Sequence, residues 1–220
     1  MKTKEIWIWI GVIIVLLATF WGLITLVNST NSSANLTSQV KTPASASKED
    51  ITLGIAEKAK ATLIEYADFQ CPACSTYAQF VKQLNKDFGN NLFIVYRFLP
   101  LIDAHKNAML SAQAAFAAHK QNKFWEMDEL LYQNQNLWAN AGNAQQIFTD
   151  YAKKLNLNIE QFTKDFNADS TKKLINAQRD EGISIGIVQT PSFFVNGKLI
   201  ENPQDYDAFK QVIQNALNNK

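Results

Sequence analysis

The chain has 220 residues, 47% of them apolar and 19% charged, with a formal net charge of +1. A charge this balanced argues against nucleic-acid binding, which needs a concentrated basic face, and the apolar content suffices for one sizeable core. With two cysteines in all, the chain is not a small scaffold stapled by several disulfides.

The first element is a run from Ile6 to Val27 without a charged residue. At ~1.5 Å per helical residue it matches the thickness of a bilayer core. Trp7, Trp9 and Trp21 lie near its ends, and Lys2 and Lys4 precede it. This predicts an uncleaved anchor over 6–27, with residues 1–5 in the cytoplasm and everything after Val27 outside it. The nearest small-x-small cleavage triplet, Ala44-Ser45-Ala46, lies far downstream of the run. Residues 28–50 are rich in Asn, Ser, Thr and Ala, which predicts a flexible tether. One folded domain is then expected over 51–220.

Within that domain, Ala61–Ala67 reads as a nearly continuous apolar strand. Tyr77, Phe80, Val81, Leu84 and Phe88 recur at helical spacing between Pro72 and Gly89. Leu92–Phe98 is a second strand, so the unit predicts a parallel pair with a right-handed crossover. Residues 103–182 carry helical stripes: Met109, Gln113 and Phe116; Phe124, Met127, Leu130 and Leu131; Ile147, Phe148, Tyr151 and Leu155. Ser192–Val195 and Lys198–Ile200 flank Asn196-Gly197, the strongest two-residue hairpin signal. A last helix is expected from about Pro203, capped by Asn202.

Both cysteines fall in DFQCPACSTY, at the junction of the first strand and the first helix. Pro72 suits a first helical position, which puts Cys71 near the cap, where unpaired N–H groups and the helix dipole favour a thiolate. Cys74 lies one turn on, within bonding reach and more shielded. Zinc would need four ligands, and the only histidines, His105 and His119, are distant in sequence. A purely structural bridge would close a very small loop and remove little chain entropy. A redox pair is the reading the spacing favours, with no metal and no cofactor.

The segments EYADFQCPAC, YRFLPL and TPSFFVNG, in that order around a helical block, resemble the DsbA type of thioredoxin-fold thiol–disulfide oxidoreductase, in its membrane-tethered single-domain form. The resemblance implies an α/β thioredoxin fold with a helical insertion between the second strand and the C-terminal hairpin. It implies Cys71 as nucleophile and Cys74 as buried partner, around the dipeptide Pro72-Ala73. Pro191 would be the cis-proline beside the site, with Thr190 offering main-chain hydrogen bonds to an extended substrate. Glu65 would be a buried acid that moves protons for Cys74. The substrates would be reduced or misfolded client proteins, and a membrane thiol oxidase would recycle the pair. Strongly oxidising members carry histidine where Ala73 stands, so a weaker oxidant is expected here. A reductase or isomerase using the same site, and a binding or chaperone module with a structural disulfide, remain alternatives. Asp68 is expected to cap the helix or line the groove without a catalytic role. His105 is expected at a helix start on the surface, and His119 as a cation at a helix end.

Overall fold

The computed structural model describes residues 16–21 and 40–218. Residues 16–21 are helical, and Leu16, Leu17, Phe20 and Trp21 are exposed. The remainder of the expected anchor over 6–27 lies outside the described residues. Among the described residues, no helix is long and apolar enough to cross a membrane.

The folded unit begins at Val40 and centres on five strands. These are β1 (Ile51–Leu53), β2 (Ala61–Ala67), β3 (Leu92–Phe98), β4 (Ser192–Val195) and β5 (Lys198–Ile200). Their order in the sheet is β1-β3-β2-β4-β5. β2 and β3 run parallel and are joined by helix α1 (Pro72–Phe88); every other pairing is antiparallel. Both central strands are buried almost throughout, as their apolar sequences require. The β4–β5 turn uses Asn196 and Gly197 at φ of 49° and 79°, the left-handed conformation a two-residue hairpin demands.

The register sorts the side chains of the sheet. Leu63 pairs with Ile94, and Glu65 with Tyr96 and Phe193. Leu63, Ile94 and Phe193 pack in one core with Val81 and Leu84 of α1 and with Phe209 and Ile213 of α8 (Tyr206–Asn218). Ile64, Tyr66, Val95 and Phe194 form a second core on the opposite face, with Ile185 and Ile187.

Between β3 and β4 lie six helices: α2 (Ala108–His119), α3 (Phe124–Gln133), α4 (Gln135–Trp138), α5 (Ala144–Lys154), α6 (Ile159–Asn167) and α7 (Asp169–Ser184). They are the expected helical insertion. α2 differs from its expected single stripe: it is buried nearly all round, from Ser111 through Ala118. Its alanines let α3, α5, α6 and α7 approach it together. The insertion shares its core with Phe69, Tyr96, Phe98 and both cysteines, so it packs on the redox end of the sheet. Gly182 brings α7 against the sheet, where a Cβ would stand 2.7 Å from a Leu99 methyl.

Two local expectations need correction, and one strand was not expected at all. The last helix starts at Tyr206, and the Asp205 carboxylate accepts the Ala208 N–H at 2.8 Å, so Asp205 rather than Asn202 serves its first turn. β1 had no periodic signal because three residues are too few to show one. Finally, the expected tether over 28–50 overlaps the folded unit. The Lys41 N–H bonds the Ile185 carbonyl at 2.8 Å, and Asp50 is buried against Arg97. The composition of 40–50 conceals this, because most of its contacts are polar, with Val40 and Pro43 as its apolar anchors.

Candidate active site

Cys71 is the N-cap of α1, in extended conformation, with Pro72 at the first helical position. No side chain caps the helix, so its first N–H groups are free for the cysteine sulfur. The two cysteines are free thiols. Cys71 is 8% exposed and Cys74 0%, so only Cys71 presents an edge to solvent.

Their environments push the two thiols in opposite directions. The Cys71 thiol is held down at about 5, first by a hydrogen bond from the Cys74 thiol. Burial opposes this; the Thr190 side chain and the N–H groups of Cys74 and Ala73 add to the lowering. Cys74 is pushed well above its ordinary range, chiefly by burial, then by its bond to the Cys71 sulfur and the Cys71 charge. Reduced full-length protein is therefore expected to react with iodoacetamide at Cys71 with a midpoint near pH 5, with Cys74 silent at neutral pH. The thiolate is present above that midpoint and lost as pH falls through it. Peptide mass spectrometry of the alkylated protein reads the result; a Cys71 midpoint near the ~8.5 of a free cysteine would show that these donors do not act.

The Thr190–Pro191 peptide bond is cis. The Cys71 Sγ–H donates to the Thr190 carbonyl at 3.3 Å, which brings α1 and the start of β4 together. The Thr190 hydroxyl is buried without a partner in the protein, so it is free to serve a Cys71 thiolate. Asn202 Nδ2 donates to the Pro191 carbonyl at 2.9 Å and fixes the loop from behind. Pro72 and Ala73 are exposed beside the pair.

Glu65 sits at mid-strand in β2 and is 3% exposed. Its carboxyl is pushed up to about 8, first by burial and then by the charge of Asp128 on α3. Its charge in turn raises the Cys74 thiol. The structure thus brings together Cys71, Cys74, Thr190 and Pro191, with Glu65 coupled to Cys74 from the sheet.

Asp68 is more deeply placed than the sequence implied. Its carboxylate accepts from the N–H groups of Gln70 at 2.7 Å and Leu101 at 2.9 Å, and its Oδ2 lies 2.7 Å from His105 Nδ1. It is held by the loop around it and does not line an open groove. His105 is correspondingly not a free surface residue; it closes the Asp68 cluster three residues before α2 begins. His119 packs against Phe116 and Phe124, and burial lowers its pKa, so it favours the neutral form over the expected cation.

Several site residues gave no sequence signal. Gln135 Nε2 donates to the carbonyls of Phe69 and Cys71 at 2.7 and 3.0 Å, so α4 braces the redox loop directly. Gln70 Oε1 accepts the Asn107 N–H at 2.7 Å, and Asn107 Nδ2 gathers the carbonyls of Trp138, Ala139 and Ala141. Isolated amides in polar sequence carry no periodicity to betray such a role. Among the described residues, no group of three or more His, Cys, Asp or Glu side chains is gathered to hold a metal ion.

A family model described as thioredoxin matches residues 46–215. The chain belongs to the thioredoxin family. Its fold is also that of solved DsbA-like proteins. BdbD from Bacillus subtilis, in its oxidised form, is 23% identical and superposes with a TM-score of 0.70, over 81% of this chain and 97% of BdbD. Wolbachia pipientis alpha-DsbA1 is 21% identical with a TM-score of 0.68, over 79% of this chain and 93% of that one. A curated relative, the Na(+)/H(+) antiporter NhaA 1 of Salinispora arenicola, is 34% identical over 161 residues. That match takes in 73% of this chain and 24% of the antiporter, so this thioredoxin-family chain spans about a quarter of the relative's length. Within the family, it has the DsbA-like form: a Cys-x-x-Cys pair at the start of α1 and a helical insertion ahead of the hairpin.

Proposed function

We propose that this protein is an extracytoplasmic thiol–disulfide oxidoreductase that donates the Cys71–Cys74 disulfide to reduced, folding client proteins. The observation that carries the reading is the placement of the pair: Cys71 at the uncapped start of α1 with an edge exposed, and Cys74 fully buried beside it, which holds the first thiol down at about 5 and pushes the second up.

Magnitudes support the donor direction. At pH 7 a thiol of pKa about 5 is almost wholly ionised, roughly thirtyfold more than a free cysteine at ~8.5. As an attacking group it gains nothing, because nucleophilicity falls with pKa (Brønsted slope ~0.4–0.5) and cancels about the same factor. As a leaving group it gains outright, since a lower pKa leaves faster. The asymmetry therefore favours Cys71 as the sulfur released to solvent when a client disulfide forms. It also stabilises the reduced pair, which is what makes a dithiol oxidising.

In the forward reaction a client thiolate attacks the Cys71 sulfur of the disulfide. The Cys71–Cys74 bond breaks, and Cys74 leaves as thiolate and takes a proton from Glu65. A second client thiolate attacks the client sulfur of the mixed disulfide, forming the client bridge and releasing Cys71 thiolate. Two electrons pass from the client to the pair. Thr190, beside cis-Pro191, offers its backbone to the client strand. A membrane thiol oxidase returns the pair to the disulfide, and an anchor over 6–27 keeps the domain at the outer face of the cell membrane.

The test is the reduction potential of the full-length chain equilibrated against glutathione buffers. The expected value lies well above the ~−270 mV of thioredoxin and towards the ~−120 mV of a strong oxidant, with Ala73 keeping it below that extreme. A value at the thioredoxin end would turn the assignment to a reductase.

A further inference from the structure

A cavity of 270 Å³ opens between α1, α3 and the sheet. Its walls include Glu65, Ala78, Lys82, Trp125, Asp128 and Tyr132. Most of the lining surface is apolar, yet it holds four carboxylates: Glu126 and Glu129 are paired with Lys123 and Lys82, while the buried Glu65 on β2 and Asp128 on α3 have no cation partner among the described residues. The Tyr132 and Tyr96 hydroxyls are buried with no hydrogen-bond partner in the protein. Tyr132 lines the cavity itself, and Tyr96 is the β3 neighbour of Glu65. Unpartnered buried hydroxyls and carboxyls around a cavity of this size make hydration sites, since a water needs only ~10–15 Å³ of such volume and two to four polar partners. Lys82 and Glu129 pair at 2.9 Å, both well exposed, where the cavity meets solvent.

We propose that Asp128 is the outer acid of a two-carboxylate proton relay, through which protons pass between solvent and Glu65 by way of this cavity. The proposal rests on the disulfide-donor reading above and names how its buried thiol is supplied. Glu65 is sealed within the sheet, and Cys74 has no exposure at all. When Cys74 leaves as thiolate it takes the Glu65 proton, and the Glu65 carboxylate so formed regains a proton from Asp128 through the cavity. Asp128 then recovers its own from solvent. During reoxidation each transfer reverses, and the Cys74 proton leaves by the same route. Asp128 does not touch the reacting sulfurs and is a positioning residue for the proton.

The groups facing Glu65 fix the expected pH behaviour. From α1 these are Cys74 and Lys82; from α3, Asp128, Tyr132, Glu129 and Glu126; from β3, Tyr96. Lys82 is paired with Glu129 and Glu126 with Lys123, which leaves Asp128 as the charge that acts on Glu65. Both carboxyls stand at about 8, each raised first by burial, as expected of two acids that share one low-dielectric space.

The experiment loads Cys71 of the full-length chain with glutathione and follows glutathione release by Cys74 against pH. In the wild type, release should rise with a midpoint near 8, as Glu65 becomes a base. In Asp128→Asn the midpoint should move down by about one pH unit, because the like charge is gone, while Asp128→Glu keeps the wild-type profile. An Asp128→Asn profile that superimposes on the wild type, or that is lowered equally at every pH, would overturn the relay. A second measurement needs no variant to fold: carboxyl ¹³C NMR of the wild type should show Asp128 and Glu65 titrating in shared steps. Independent titration of Asp128 in the ordinary carboxylate range also overturns the proposal. Failure of the wild type to release glutathione at any pH would instead count against the donor reading, and the NMR titration would still decide the relay.

Discussion

Replacing Cys71 with serine should reduce disulfide transfer to a reduced client to the uncatalysed rate, while Cys74→Ser should behave differently. Cys71 is the sulfur with an exposed edge and the one whose thiolate the helix start stabilises. Serine at 71 removes the only atom a client thiolate can attack. Serine at 74 leaves Cys71 accessible but removes the internal resolving thiol, so Cys71-linked mixed disulfides should accumulate. Cys74→Ser should also raise the Cys71 pKa, since the largest contribution to its lowering is the bond from the Cys74 thiol. Gel-shift trapping with a reduced client, together with a Cys71 alkylation titration, reads both effects. If the double serine variant still supports client refolding as well as the wild type, the exchange reading is lost and a thioredoxin-fold binding module takes its place.

Arg97→Ala should cost about 3–5 kcal/mol of stability, the range for removing one partner of a buried ion pair. Arg97 is 4% exposed at the end of β3. It grips Asp50 with two hydrogen bonds of 3.0 Å and donates to the Tyr66 hydroxyl at 2.9 Å. Its Nη2 also reaches the carbonyls of Ala44 and Ser45 at 3.0 and 3.2 Å. Glu181 completes the cluster, 3.5 Å from Arg97 and bonded to the Tyr66 hydroxyl. Alanine would strand Asp50 and Glu181 near one another with no cation. Truncation to 51–220, the domain limits the sequence suggests, should be destabilising for the converse reason: Arg97 stays buried while Asp50 is removed. Urea unfolding of the full-length variant and of the truncated protein gives both numbers. A loss below about 1 kcal/mol, typical of a surface pair, would show that the cluster is solvated and that 40–50 is a tether after all.

Much of the fold was legible because its signals are local. The apolar run 61–67, the helical spacing of Tyr77 through Phe88 and the Asn196-Gly197 turn each declare themselves within a few residues, and β2, α1 and the hairpin stand where they were expected. The place of Cys71 at a helix cap also followed locally, from one proline next to one cysteine. The ends were less legible. β1 is too short for a period, and α8 starts later than its proline because Asp205 supplies a better cap.

By itself, the sequence determined the redox pair, the strand–helix–strand unit that carries it and the presence of a helical block, since neighbouring residues encode all three through spacing and backbone preference. Tertiary structure alone decided what surrounds the pair. Arg97 and Asp50 are 47 positions apart, and His105 and Asp68 are 37 apart, yet each pair is in hydrogen-bond contact. Asp128 reaches the neighbourhood of Glu65 only because α3 folds back over α1 and the sheet. The reason is dielectric as well as geometric. A carboxylate is ordinary in water and acquires a raised pKa or a buried partner only once packing has excluded the solvent around it. Periodicity says which face of an element turns inward; it does not say which charges will meet there.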